Sequence, residues 1–109
     1  MRIKVKFLAT FKEVFGGEEK EIEVAAGGSN ILDLLNLLCD SPQRRQRIFE
    51  HSDKPRTYLQ IFKNRRPIQS LDGIHTKLEE GDVIAIVPPM FGGLAVKILE
   101  EVLISSLFG

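Results

Sequence analysis

The sequence predicts an α+β domain, a mixed sheet packed on one principal helix, followed by a C-terminal helical extension. Three observations predict it. Arg2-Ile3-Lys4-Val5-Lys6-Phe7 and Glu21-Ile22-Glu23-Val24 alternate charged and apolar residues with the two-residue period of half-buried strands. Ile31, Leu34, Leu35 and Leu38 recur at i, i+3, i+4 and i+7, which is one apolar stripe of a helix. Val83 to Val87 is a short apolar, largely β-branched run behind the turn pair Gly81-Asp82, and it reads as a buried strand. Paired strands around one helix make an α+β arrangement. That helix supplies the crossover by which the first and last strands can lie parallel at the centre of the sheet.

In order along the chain, the first strand places Ile3, Val5 and Phe7 on its buried side. Phe11, Val14 and Phe15 form an apolar turn ahead of Gly16-Gly17, and the second strand returns as a long-looped hairpin. Gly27-Gly28 breaks the chain, and Ser29 or Asn30 caps the helix running from about Ile31 to Cys39. Ser41-Pro42 is a fresh N-cap and first-turn proline, opening a short basic helix through Phe49. Lys54-Pro55 ends that excursion. Thr57 to Lys63 reads as a third strand, Asn64-Arg65-Arg66 turns it, and Pro67-Ile68 begins a short return. Turn-rich links at Leu71-Asp72-Gly73 and Thr76-Lys77-Leu78 lead into the last strand.

A length of 109 residues fits one small core, and formal net charge is zero. The charge is unevenly spread: residues 41–69 hold 8 basic and 2 acidic groups, whereas residues 70–109 hold 2 and 6. This balance excludes a strongly basic nucleic-acid binder as the default. Cys39 is the single cysteine, so an internal disulfide is excluded. The charged, alternating N-terminus is no secretory signal, and a cytoplasmic location is expected.

After the last strand come Pro88-Pro89, Met90, Phe91 and Gly92-Gly93. Neither proline can donate to a ladder, and both hold the chain stiff and extended. The glycines carry no Cβ, so this part of the chain could thread a narrow passage. The segment Leu78-Glu79-Glu80-Gly81-Asp82-Val83-Ile84-Ala85-Ile86, with Pro88-Pro89 and Gly92-Gly93, resembles the end of the MoaD/ThiS sulfur-carrier family, ubiquitin-like proteins that include the small subunit of molybdopterin synthase. Val5 to Phe11, Ser29 to Leu35, and Ile61-Phe62-Lys63-Asn64-Arg65-Arg66-Pro67-Ile68 are similar to the family's first strand, helix start and hairpin. The resemblance covers residues 1–93 and implies the β-grasp fold. The excursion at 41–56 makes the chain longer than the compact ThiS type, so the molybdopterin synthase type or an archaeal-style ubiquitin-like modifier is the nearer likeness.

The resemblance also implies a chemistry. The terminal glycine carboxylate is activated with ATP to an acyl-adenylate by an adenylating partner and converted to a thiocarboxylate. Gly93 is then the sulfur-carrying residue, Gly92 its clearance, Pro88-Pro89 the strut, and Met90 and Phe91 the remaining partner-binding positions. Such a chain is a carrier, at most the small subunit of a synthase, and holds no cofactor or metal itself. The implied partners are an adenylating enzyme of the ubiquitin-activating type and the molybdopterin synthase large subunit, with no nucleic acid or membrane.

Two features depart from the pattern. Phe91 is bulkier than the residue usual before the glycine pair, and the chain continues past Gly93 to Gly109. While the 93–94 peptide bond stands, Gly93 has no carboxylate. In residues 94–109, Ala95, Ile98, Leu99 and Val102 share one helical face, with Lys97, Glu100, Glu101 and Ser105 mostly away from it. Three readings follow: a precursor trimmed by a peptidase, a permanent cap on the sheet or on a twin subunit, or Gly109 as acceptor. The first is favoured, and Leu107-Phe108 weigh against the third. Three functions therefore stand: sulfur carrier, protein modifier joining Gly93 to lysines, or a non-catalytic interaction module whose tail packs on itself or forms a homodimer.

The other candidates read as structural. Cys39 is a packed thiol, and His51 and His75 lack metal-ligand spacing. Arg44, Arg45 and Arg47 read as a solvated helix face, with docking to an acidic partner as their functional alternative.

Overall fold

Burial of one row of side chains, Ile3, Val5 and Phe7, sets the sheet. All three are 1% exposed or less and project from the first strand, β1 (Arg2–Phe7), toward the principal helix. The computed structural model describes residues 1–88; Pro89, Met90, Phe91, Gly92, Gly93 and the helix predicted over 94–109 lie outside the described residues. After β1 come a single helical turn, α1 (Phe11–Val14), and β2 (Glu19–Glu23), then α2 (Ile31–Leu38) and α3 (Pro42–Ile48). The strands β3 (Phe49–His51), β4 (Lys54–Pro55), β5 (Gln60–Lys63), β6 (Arg66–Pro67) and β7 (Val83–Val87) follow. Short 3₁₀ turns at Ile68–Ser70 and Gly73–His75 join the last two.

The main sheet has the order β2-β1-β7-β5-β6. β1 runs antiparallel to β2 and parallel to β7, with Val5 opposite Ile84 and Phe7 opposite Ile86. β7 runs antiparallel to β5, with Ile61 opposite Ile86. The expected central parallel pair is therefore present, and the crossover passes through α2. That helix begins where the local chemistry dictates. Asn30 accepts from the Asp33 backbone N–H while the Asp33 carboxylate accepts from the Asn30 N–H, a reciprocal capping box. Asn30 is thus the cap, and Ser29 instead donates to the Ala25 carbonyl. Ile31, Leu34, Leu35 and Leu38 are all buried, against the inner face of the sheet. Phe15 closes one end of this core, stacked on Phe7 at 4.6 Å and edge-on to Phe11 at 5.9 Å.

The third strand is shorter than the predicted Thr57–Lys63. Leu59 N–H donates to the Arg56 carbonyl, so Thr57 and Tyr58 form a turn and pairing starts at Gln60. In the excursion, α3 stops at Ile48, and Phe49 opens a two-stranded hairpin, β3 with β4, separate from the main sheet. Ile48 and Phe49 tie this excursion to the common core.

Candidate functional site

The site predicted at the end of β7 begins on a strand held on both sides. Val87 is still in register with Gln60 of β5, and the Ile86 carbonyl accepts from the Leu8 N–H at 3.3 Å. Ile84 and Ile86 are fully buried, so the strand is anchored by both its ladder bonds and its side chains. Of the predicted site residues, Pro88 alone is among those described. It is buried and borders an open cleft of about 490 Å³ with Thr10, Phe11, Gln46, Arg47, Arg56 and Tyr58. Missing its own N–H, Pro88 cannot donate to the ladder, and β7 ends before it.

The opposite end of β7 is fixed by a polar cluster that sequence reasoning passed over. Asp82, expected to be an acidic turn residue, is 5% exposed. Its Oδ1 accepts from Asn64 Nδ2 at 2.8 Å, and its Oδ2 accepts from the Glu79 N–H at 2.7 Å and lies 3.4 Å from Lys63 Nζ. Asn64 Oδ1 in turn accepts from the Val83 N–H, and the Asn64 N–H donates to the Val83 carbonyl. Asn64 and Arg65 have φ of 48° and 75°, the left-handed pair of a two-residue hairpin between β5 and β6. Asparagine after a strand was the available signal, since it tolerates that conformation.

The arginines of α3 correct an expectation. Arg44 and Arg45 are not a solvated face. Arg44 donates to Asp40 and to the Val14 carbonyl and lies 5.7 Å from the Phe15 ring centroid. Arg45 donates to Asn36 and to the Ser52 carbonyl and stacks 4.5 Å over Phe49. Both bind the excursion to the rest of the domain, because a guanidinium can fork hydrogen bonds and stack at once. Arg47 is exposed and remains available at the cleft. Cys39 packs on the core as expected, and burial pushes its thiol up to about 11, with Arg45 pulling it partly back. His51 and His75 are both exposed.

Among the described residues, no group of three or more His, Cys, Asp or Glu that could hold a metal ion comes together. What these residues present is a central strand, paired on both sides and ending at Val87. Comparison with known proteins decides the family. The model of the ThiS family matches residues 5–93. The chain belongs to the ThiS family. Small archaeal modifier protein 3 of Haloferax volcanii is 31% identical over 94 residues, covering 85% of this chain and all of that protein. The solution structure of small archaeal modifier protein 1 from Methanosarcina acetivorans superposes with a TM-score of 0.71 at 30% identity, covering 84% of this chain and 96% of that one. A putative molybdopterin converting factor subunit 1 from Pyrococcus furiosus gives 0.65 at 26% identity, over 83% of this chain and 99% of that one. The fold of this ThiS-family chain is the ubiquitin-like β-grasp. The family match ends on Gly93, and residues 94–109 lie beyond it. Among the described residues, no helix is long and apolar enough to cross a membrane.

Proposed function

We propose that this chain is a ubiquitin-like carrier that works through the carboxylate of Gly93 once residues 94–109 have been removed. The observation that carries this reading is the family match running to Gly93 and stopping there, six residues beyond a strand locked in the centre of the sheet. The chemistry balances simply. A Gly93 carboxylate oxygen attacks the α-phosphorus of ATP in an adenylating partner, and pyrophosphate leaves. A nucleophile then attacks the acyl carbon, and AMP leaves. No base or metal of the carrier takes part. Its contribution is an unhindered acyl end, with Pro88 and Pro89 as strut, Met90 and Phe91 as partner contacts and Gly92 as clearance.

Two nucleophiles distinguish two uses. A lysine amine gives an isopeptide bond; the modifier named among the relatives, matched over its whole length, favours this use. A sulfur nucleophile gives a thiocarboxylate for a synthase large subunit in molybdopterin formation. The Pyrococcus furiosus converting factor favours that one. The test compares the full chain with one ending at Gly93, each offered to an adenylating enzyme with ATP and labelled pyrophosphate. Exchange by the shorter chain alone is expected; silence from both overturns the carrier reading. Mass spectrometry of the protein from its native host then separates the uses. Lysine adducts mark a modifier, and a Gly93 terminus with one oxygen replaced by sulfur marks a sulfur carrier.

A further inference from the structure

The sheet has a second face, away from α2, on which Leu8, Ala85 and Val87 are buried. Leu8, Ala85 and Val87 form a cluster separate from the main core, 9%, 3% and 4% exposed, and the half-buried Phe62 packs against them. The register places them side by side: Ala85 lies between Lys6 and Phe62, and Val87 lies beside Gln60. The buried apolar residues of α2 and α3, Ile31, Leu34, Leu35, Leu38 and Ile48, belong to the other cluster, on the inner face. Lys6 sits on this outer face with its side chain only 13% exposed, although its one ion pair among the described residues, to Glu19, spans 4.0 Å. A lysine stem and three apolar side chains on an open sheet face do not lose solvent to this degree without a cover.

We infer that the outer-face strip of Leu8, Phe62, Ala85 and Val87 is the docking site of this chain's own residues 94–109. Three arguments select this occupant. The strip begins at Val87, the last residue of β7, so the chain leaves the strand directly beside it. Twenty-one residues follow Pro88, and Gly92-Gly93 can reverse the direction of the chain without steric penalty. As a helix, the segment from Ala95 to Val102 spans about 10 Å at ~1.5 Å per residue. The strip from Ala85 to Val87 needs about 7 Å at ~3.3 Å per residue, so the lengths agree. Its stripe of Ala95, Ile98, Leu99 and Val102 is apolar like the strip, and Glu101 flanks that stripe as Lys4 and Lys6 flank the strip on β1. Docking is independent of the carrier reading. Only its consequence rests on it: an uncut tail holds Gly93 against the domain, and cutting releases the acyl end and uncovers the strip together.

The test uses the full chain carrying a nitroxide at Ser105→Cys, in a Cys39→Ala background, with methyl-labelled leucine and valine. The Leu8 and Val87 methyl signals should lose at least half their intensity, while those of Leu37, exposed on α2 across the sheet, keep theirs. A second substitution pair, I98D with L99D, should restore the Leu8 and Val87 signals and raise binding of a hydrophobic dye severalfold. Full intensity at Leu8 and Val87 in the labelled chain overturns the docking. So does broadening seen only between labelled and unlabelled chains in a mixture, which assigns the strip to a second copy. Either result leaves pyrophosphate exchange by the chain ending at Gly93 unaffected, so failure of the docking and failure of the carrier reading are told apart.

Discussion

Asp82 is accommodated at 5% exposure because each of its oxygens is met, by Asn64, by the Glu79 N–H and by Lys63. Removing the carboxylate strands those donors, so Asp82→Ala should lower stability by about 2–3 kcal/mol. Asp82→Asn keeps one acceptor oxygen and should lose less. Urea midpoints of the two variants check both the size and the order. Cys39 illustrates the opposite treatment of a titratable group. Burial is the main reason its thiol is raised from 9.0 to about 11; Asp40 adds to this, and Arg45 and Arg44 oppose it. A raised thiol pKa means less thiolate at any pH below it, roughly a hundredfold less near pH 8. Alkylation by iodoacetamide at that pH should accordingly be about a hundredfold slower in the folded chain than in urea. Equal rates in the two states would show that the thiol is not held neutral.

At the scale of elements, what could be read from sequence was whatever local chemistry decides. The period of Ile31, Leu34, Leu35 and Leu38 and the Asn30–Asp33 cap are both written within ten residues, and α2 is where they put it. Asn30→Ala removes one half of the capping box and should lower stability by about 1 kcal/mol, or ~4–8 °C in thermal midpoint. Asn30→Ser should keep most of it, and a calorimetric scan distinguishes them. The excursion was less legible, because its arginines are held by backbone carbonyls and aromatic rings that no pattern of charges marks. Arg44 reaches back to Val14 and Phe15, and Arg45 reaches forward to Ser52 and Phe49. Charge spacing along α3 carries no trace of either contact. Strands as short as Lys54–Pro55 and Arg66–Pro67 have no period to detect. The end of β7 was readable for a different reason. Proline and glycine act through their own backbones, so Pro88 marks the end of β7 with no knowledge of its neighbours.

For the whole molecule, the parallel pairing of β1 with β7 joins the first segment of the chain to the last described one and makes the exit at Pro88 a property of the entire core. The core and the emerging arm should nevertheless fail separately. Ile86 is fully buried between Phe7 and Ile61 in the register, so Ile86→Ala leaves a cavity and should lower stability by about 2–5 kcal/mol. In a chain ending at Gly93, that loss should reach adenylation only through the fraction of folded protein, and cooling or a stabilising osmolyte should recover the rate. Gly92→Val should do the reverse. It places a branched side chain where the carrier reading requires clearance and should leave the denaturation midpoint where it was. Pyrophosphate exchange should fall about a hundredfold, because a small misplacement of the acyl carbon is enough to remove it from reach. Temperature would not rescue that variant. If Gly92→Val exchanges pyrophosphate as fast as its parent, Gly92 is not giving clearance in a narrow passage, and the Gly93 carboxylate reaches the adenylating site without it.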